Sequence, residues 1–341
     1  MIIEVVFLVI GLIMILIAAE TFTNGIETFG RKFNFSQAVV GSLFAAVGTA
    51  LPETILPIVA IFFYSGKSAQ DIGVGAILGA PFMLSTLAFF LVGITVIVSS
   101  LKKRRKFEIN IEPHSTTRDL IFFLPMYSIA VIMPSIVGRS FSVLIAVFLI
   151  AGYILYAYRT FRGESADIEH TEEMYLWKVF RKMGMIRSEH PSLMLIMFQV
   201  AGSLAVMIMG AHTFVESLEH VSVRFGMNPL LFALILAPVA TELPEKFNSV
   251  TWTWKGRDTL AIGNITGAMV FQSTFPVCVG LLFTEWKLTG MAFFSAVIAL
   301  ASAFIVLLDI TFRKRISPFT MLFGGGLYLI YAIVLISGVM Q

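Results

Sequence analysis

The sequence predicts an all-α integral membrane protein of ten transmembrane helices, arranged as two inverted five-helix repeats. Three observations predict it: an apolar composition, ten apolar runs of spanning length, and an acidic motif that occurs twice. Hydrophobic residues make up 57% of the 341 positions and charged residues 13%, with a mean hydropathy of +0.89. Soluble domains carry about 25% charged residues. A single cysteine, Cys278, excludes an intrachain disulfide framework. The small net charge of +3 gives no basis for nucleic-acid binding. The opening MIIEVVFLVI lacks a basic n-region, so it reads as the start of a spanning helix, not as a cleaved signal.

A helix needs about 20 mainly apolar residues to cross a bilayer. Ten segments satisfy this, roughly 2–29, 36–63, 69–99, 117–136, 140–161, 192–222, 228–253, 258–283, 288–309 and 316–338. None alternates with period two, which disfavours an outer-membrane barrel. The polar stretch 162–190 divides the chain into a first repeat, 1–161, and a second, 191–341. It is too short for a separate domain and reads as a cytoplasmic linker with a surface-lying helix around Trp177 and Phe180.

The basic residues orient the bundle. Counting connections from the N-terminus, the odd ones hold 19 of the 24 Lys and Arg and the even ones four. The odd set includes Arg31 and Lys32, KKRRK at 102–106, six residues between 159 and 187, Lys255, Arg257, and RKR at 313–315. Positive-inside bias then predicts a cell-membrane protein with a cytoplasmic linker and both termini outside.

The repeat explains why an oily chain carries Glu53 in an apolar segment. Residues 19–53 align without a gap on residues 211–245, with 11 of 35 pairs identical, and both copies end in T-x-L-P-E. The match resumes as 73–82 against 261–270. Five predicted helices separate the copies, so the second enters the membrane from the opposite side. In secondary transporters such repeats place the substrate near the midplane on interrupted helices. Pro52 and Pro244 are expected to kink their helices and free carbonyls. Glu53 and Glu245 with Thr49 and Thr241 then form an oxygen cage. Such a cage suits a hard cation such as Ca²⁺, which takes six to eight oxygens; the lack of a thiolate or histidine pair argues against zinc and copper.

GTALPE at 48–53 and ATELPE at 240–245 resemble the core motifs of the calcium/cation antiporter superfamily, which includes the sodium/calcium exchangers. GAILGAPF at 75–82 and GNITGAMVFQ at 263–272 resemble its G-N-x-x-G-S-N segments. The resemblance implies a secondary active antiporter that exchanges Ca²⁺, or a similar divalent cation, for Na⁺ or H⁺ by alternating access. It also implies that the first and sixth helices slide against the rest. The implied partners are inorganic cations and the bilayer; one chain holds both repeats, so a monomer suffices.

The departures from the family pattern bear on coupling. Ala50 and Glu242 stand where the family has the serine before L-P-E, Ala80 and Ala268 where it has a later serine, and Leu84 and Gln272 where it has Asn or Asp. Several oxygens used for sodium are therefore missing, which favours a proton as the coupling ion. Glu242 and Gln272 join the candidate ligands, and Asn264 is expected to line the path. Lys246 follows Glu245 directly. It can neutralise Glu242, four residues earlier on the same helical face, or pair with Glu245. Glu20 and His212 occupy equivalent places in the two copies, either as a titratable pair or as hydrogen-bonding helix anchors. Two rival functions are a non-transporting cation sensor and an intramembrane acid-dependent hydrolase, though no nucleophile–base pairing supports the latter.

Overall fold

The computed structural model describes residues 2–33, 45–64, 66–163, 173–185, 188, 190–288 and 290–339. These residues form an all-helical structure. Twelve helices follow in order among them: α1 (Ile2–Lys32), α2 (Ala45–Phe63), α3 (Lys67–Leu101), α4 (Pro113–Val137), α5 (Ser142–Gly163), α6 (Tyr175–Lys182), α7 (Leu193–Arg224), α8 (Pro229–Trp254), α9 (Asp258–Gln272), α10 (Phe275–Phe283), α11 (Gly290–Arg313) and α12 (Pro318–Val339). Among the described residues β pairing is limited to one antiparallel bridge, between Ile109 and Ile316.

Eight stretches are long and apolar enough to cross a membrane, and Ala50–Phe63 and Pro229–Glu242 are shorter apolar helices. The spans divide into central and peripheral ones. Two-thirds of α3 and of the α9–α10 stretch is buried, against 28% of α1 and of α7. The outer faces carry exposed Ile13, Ile17, Phe198, Met209 and Leu329. Apolar side chains in such number face lipid without penalty, whereas in water they would form a patch far beyond that of a soluble monomer.

Two apolar clusters fill the interior. One joins α1, α2 and α7 to the first turns of α3 and to α8, through Ile15, Leu56, Ile72, Phe214 and Ala237. The other joins the rest of α3 to α4, α5 and α9–α12, through Phe82, Phe89, Phe123, Met269 and Tyr331. The clusters meet where α3 crosses α8. Close approach there depends on Gly75 and Gly79, spaced as small residues are in packed membrane helices. A Cβ on Gly75 would lie 2.1 Å from the Leu230 carbonyl oxygen, and one on Gly79 2.1 Å from that of Leu234. Pro238 has no N–H to offer the Leu234 carbonyl four residues earlier, so that oxygen turns to the glycine face instead.

The prolines expected to kink their helices lie within continuous ones. The helix runs through Pro52 and Pro57 in α2, and α8 runs unbroken from Pro229 to Trp254. The interruptions fall elsewhere. α3 contains a π-turn at Leu84–Ala88, and the predicted single helix 258–283 breaks at Ser273 and Thr274. In the alignment of 73–82 with 261–270, these two places correspond. The hydroxyl of Ser302 donates to the Ser85 carbonyl within the π-turn, and that of Thr274 donates to the Val270 and Phe271 carbonyls. Serine and threonine thus satisfy the oxygens that irregular helices free in lipid.

The connections gather at the two ends of the bundle. At one end Arg105 donates to Asp258 and to the Thr253 carbonyl, Lys102 and Arg104 cover Trp254, and Ile109 pairs with Ile316. These contacts join the connections after α3, α8 and α11. At the other end Arg224 pairs with Glu4, and Phe62 packs on Phe283. The short helix α6 docks on α1 and α7. Asn24 accepts from the Tyr175 N–H and Gln199 from the Leu176 N–H, and Trp177 is buried beside Ile196. The linker thus does hold a short helix, with its first turn capped by side chains of α1 and α7.

Candidate cation site

Three carboxylates converge between α2 and α8. Glu53, Glu242 and Glu245 each bring an oxygen to within 4.8 Å of the others. Glu53 and Glu242 are buried and Glu245 half-buried. Like charges this close cannot all remain ionised in a low dielectric without a compensating cation or proton.

Lys246, itself 1% exposed, supplies part of the compensation. Its Nζ lies 3.3 Å from Glu242 Oε2 and 3.6 Å from Glu245 Oε1, and donates to Asn264 Oδ1 at 3.0 Å. The two pairings that the sequence left open therefore coexist. Asn264, on α9, is the hub of this half. Its Nδ2 donates to Glu245 Oε1 at 3.1 Å, and its Oδ1 also accepts from Ser249 at 3.3 Å. Gln272 at the end of α9 donates to Glu242 Oε1 at 3.2 Å. Glu242, Glu245, Lys246 and Ser249 share one face of α8 through spacings of three and four residues.

Glu53 stands apart. Among the described residues no group donates a hydrogen bond to either of its carboxylate oxygens, and both are buried. Glu53 lines a cavity of about 10 Å³ together with Thr241, Ala76, Ala80, Pro57 and Pro238. That is about the room a single water-sized species needs. Thr241 donates its proton to the Ala237 carbonyl at 3.1 Å, which leaves its oxygen lone pairs available. The cavity lies at the seam between the two apolar clusters, where Gly75 and Gly79 hold α3 against α8.

The structure thus brings Glu53, Thr241, Glu242, Glu245, Lys246, Asn264 and Gln272 together. The Thr49 and Pro244 side chains lie outside the described residues. Glu20 and His212 do not pair with each other. Glu20 accepts from the Tyr175 hydroxyl at 2.9 Å, and His212 is bonded through its ring to the Tyr64 hydroxyl. Each anchors an element, Glu20 the linker helix and His212 the end of α2. Ser249 was missed, although its position three residues after Lys246 places it on the same helical face. Asp119 was also missed: this buried carboxylate accepts from Tyr156 at 2.8 Å and from Thr266 at 2.7 Å, and ties α4 to α5 and α9.

The sequence and fold are similar to those of known proteins. The profile of the sodium/calcium exchanger protein family matches residues 3–162 and 195–337. Membrane protein MJ0091 of Methanocaldococcus jannaschii is 23% identical over 278 residues, 81% of either chain. The fold is similar to that of the H⁺/Ca²⁺ exchanger CAX, with a TM-score of 0.69 and 17% identity over 98% of this chain and 82% of the other. It is also similar to the sodium-calcium exchanger NCX_Mj, with a TM-score of 0.59 and 20% identity over 97% of this chain and 98% of the other. These matches, with the buried carboxylate cluster on an all-helical apolar fold, establish that the chain belongs to the sodium/calcium exchanger protein family, whose members are membrane cation antiporters and not enzymes.

Proposed function

We propose that this protein exchanges Ca²⁺, or a divalent cation of similar hardness, for protons by alternating access at the Glu53 cluster. The observation that carries the reading is Glu53. An ionised carboxylate removed from water costs several kcal/mol unless it is paired and hydrogen-bonded, and among the described residues Glu53 has no donor on either oxygen. A cation or a proton must meet it. Oxygen ligands alone, three carboxylates and a threonine, suit a hard divalent cation.

Protons are the favoured counter-ion. A dehydrated Na⁺ needs oxygen ligands at further positions, and Ala50, Ala76, Ala80 and Ala268 supply none. Clustered carboxylates, by contrast, accept protons readily. The similar structures include both an H⁺/Ca²⁺ exchanger and a sodium-calcium exchanger, so either ion is open to this fold. Sodium coupling would require Gln272, Glu242 and backbone carbonyls to rebuild the lost sites.

The alternating step is assigned to α1 and α7. These helices pack so closely that a Cβ on Gly11 would lie 2.8 Å from the Gly210 carbonyl. Both lie in the cluster on one side of the seam, and only 28% of the most apolar stretch of each is buried. The corresponding interruptions in α3 and after α9 support the ten-span, inverted-repeat reading. The two groups of mutually contacting connections support the orientation, because the odd and even connections gather at opposite ends. The test is Ca²⁺ uptake into proteoliposomes with a pH gradient or a sodium gradient imposed separately. Uptake driven by sodium at matched pH, with no response to a pH gradient, would assign the other counter-ion.

A further inference from the structure

We propose that Lys246 is a tethered cation: its ammonium group fills the place in the carboxylate cluster that a monovalent ion would otherwise take, leaving one exchangeable position beside Glu53 and Thr241. The inference rests on the divalent-cation reading above and extends it to the number of ions the site holds.

The geometry divides the cluster into a filled half and an open half. In the filled half the three N–H donors of an ammonium group face three oxygens, Asn264 Oδ1 at 3.0 Å, Glu242 Oε2 at 3.3 Å and Glu245 Oε1 at 3.6 Å. Two helices supply these oxygens, as they would for a bound ion. The amides of Gln272 and Asn264 hold Glu242 and Glu245 from behind. In the open half no described residue donates to either oxygen of Glu53, which lines a cavity together with Thr241.

Charge leads to the same division. With all four groups ionised, three carboxylates and one ammonium sum to two negative charges, the complement of one divalent cation. A further Na⁺ would find no uncompensated charge and no free oxygen set. A purely structural role explains less. Replacing a buried ion pair by apolar residues is often neutral or stabilising, so neutralising Glu242 alone does not require a lysine directed at Asn264 and Glu245 as well. Lysine suits the task because its ammonium is a compact point charge on a flexible stem.

The test compares wild type with Lys246→Ala, Lys246→Met and Lys246→Arg, purified in detergent, by thermal unfolding at fixed pH and ionic strength. Ca²⁺, Na⁺, methylammonium and choline are added separately. Wild type and Lys246→Arg should be stabilised by Ca²⁺ and should respond to Na⁺ no more than to choline. Lys246→Ala, which opens both charge and volume, should bind Na⁺ roughly tenfold more tightly than wild type, or better. Methylammonium should also stabilise it. Lys246→Met, which fills the volume, should show no methylammonium response. The proposal is overturned if Na⁺ specifically stabilises wild type and competes with Ca²⁺. It is equally overturned if folded Lys246→Ala responds to neither Na⁺ nor methylammonium. Should Lys246→Ala not fold, the competition of Na⁺ with Ca²⁺ in wild type decides. If Ca²⁺ fails to stabilise wild type, the divalent reading falls, while the monovalent response of Lys246→Ala still decides the role of Lys246.

Discussion

At the scale of residues, the account turns on which carboxylates are already satisfied. Glu242 and Glu245 accept from Gln272 and Asn264, and among the described residues Glu53 accepts from none. Glu53→Gln should therefore abolish Ca²⁺ transport, by at least about a hundredfold if the lost charge contributes near 3 kcal/mol, a typical figure for hydrogen bonds to charged groups, while the protein remains folded in the membrane. Glu245→Gln should also remove transport, since Asn264 and Lys246 would then hold an uncharged partner. Radiotracer uptake by the purified variants in liposomes checks both; normal uptake by both would remove the site. Most of this cluster was legible in the sequence, because a charge inside an apolar run is costly enough to need a purpose. The repeated T-x-L-P-E marked Glu53 and Glu245, and helical spacing joined Glu242 to Lys246. The partner of Lys246 on α9 was not legible. Nothing in one sequence states that Asn264 meets Lys246 and Glu245 at once, since that contact depends on how α9 lies on α8.

At the scale of elements, the crossing of α3 and α8 positions the site, and Gly75 and Gly79 permit it. Gly79→Val would place side-chain carbon against the Leu234 carbonyl and Pro238. Overpacking of this kind typically costs about 1–3 kcal/mol. The variant should show a lower Tm and reduced uptake. Gly202→Ala, where an added Cβ meets no described atom within 4 Å, should leave both unchanged. Equal behaviour of the two variants would contradict the packing argument. The docking of α6 gives a second prediction. Asn24→Ala or Gln199→Ala leaves a linker N–H without its cap, at a cost of about 1–3 kcal/mol when the group is buried. Limited proteolysis between residues 175 and 182 should accelerate in either variant, and unchanged cleavage would show that α6 docks by Trp177 alone. The long helices were legible from their apolar length. The π-turn at 84–88 and the break at 273–274 were not, because Ser302, Ser85 and Thr274 decide where the helical ladder is interrupted, and their partners are set by tertiary packing. The prolines of α2 and α8 mark neither place: both helices run through theirs.

At the scale of the whole molecule, the two apolar clusters and the seam between them would supply the two bodies that the proposed alternating access needs. The proposed orientation rests on the basic connections and has its own test. A cysteine replacing Lys103 should react with an impermeant reagent only from the cytoplasmic side, and one added after Gln341 only from outside. Labelling of both from the same side would remove the inverted-repeat arrangement. The central claim, that the Glu53 cluster couples a divalent cation to protons, is tested most directly by Ca²⁺ uptake into proteoliposomes holding wild type or Glu53→Gln under an imposed pH gradient without sodium. The account predicts strong uptake by wild type and none by Glu53→Gln. Uptake by wild type that ignores the pH gradient, or that survives in Glu53→Gln, would contradict it.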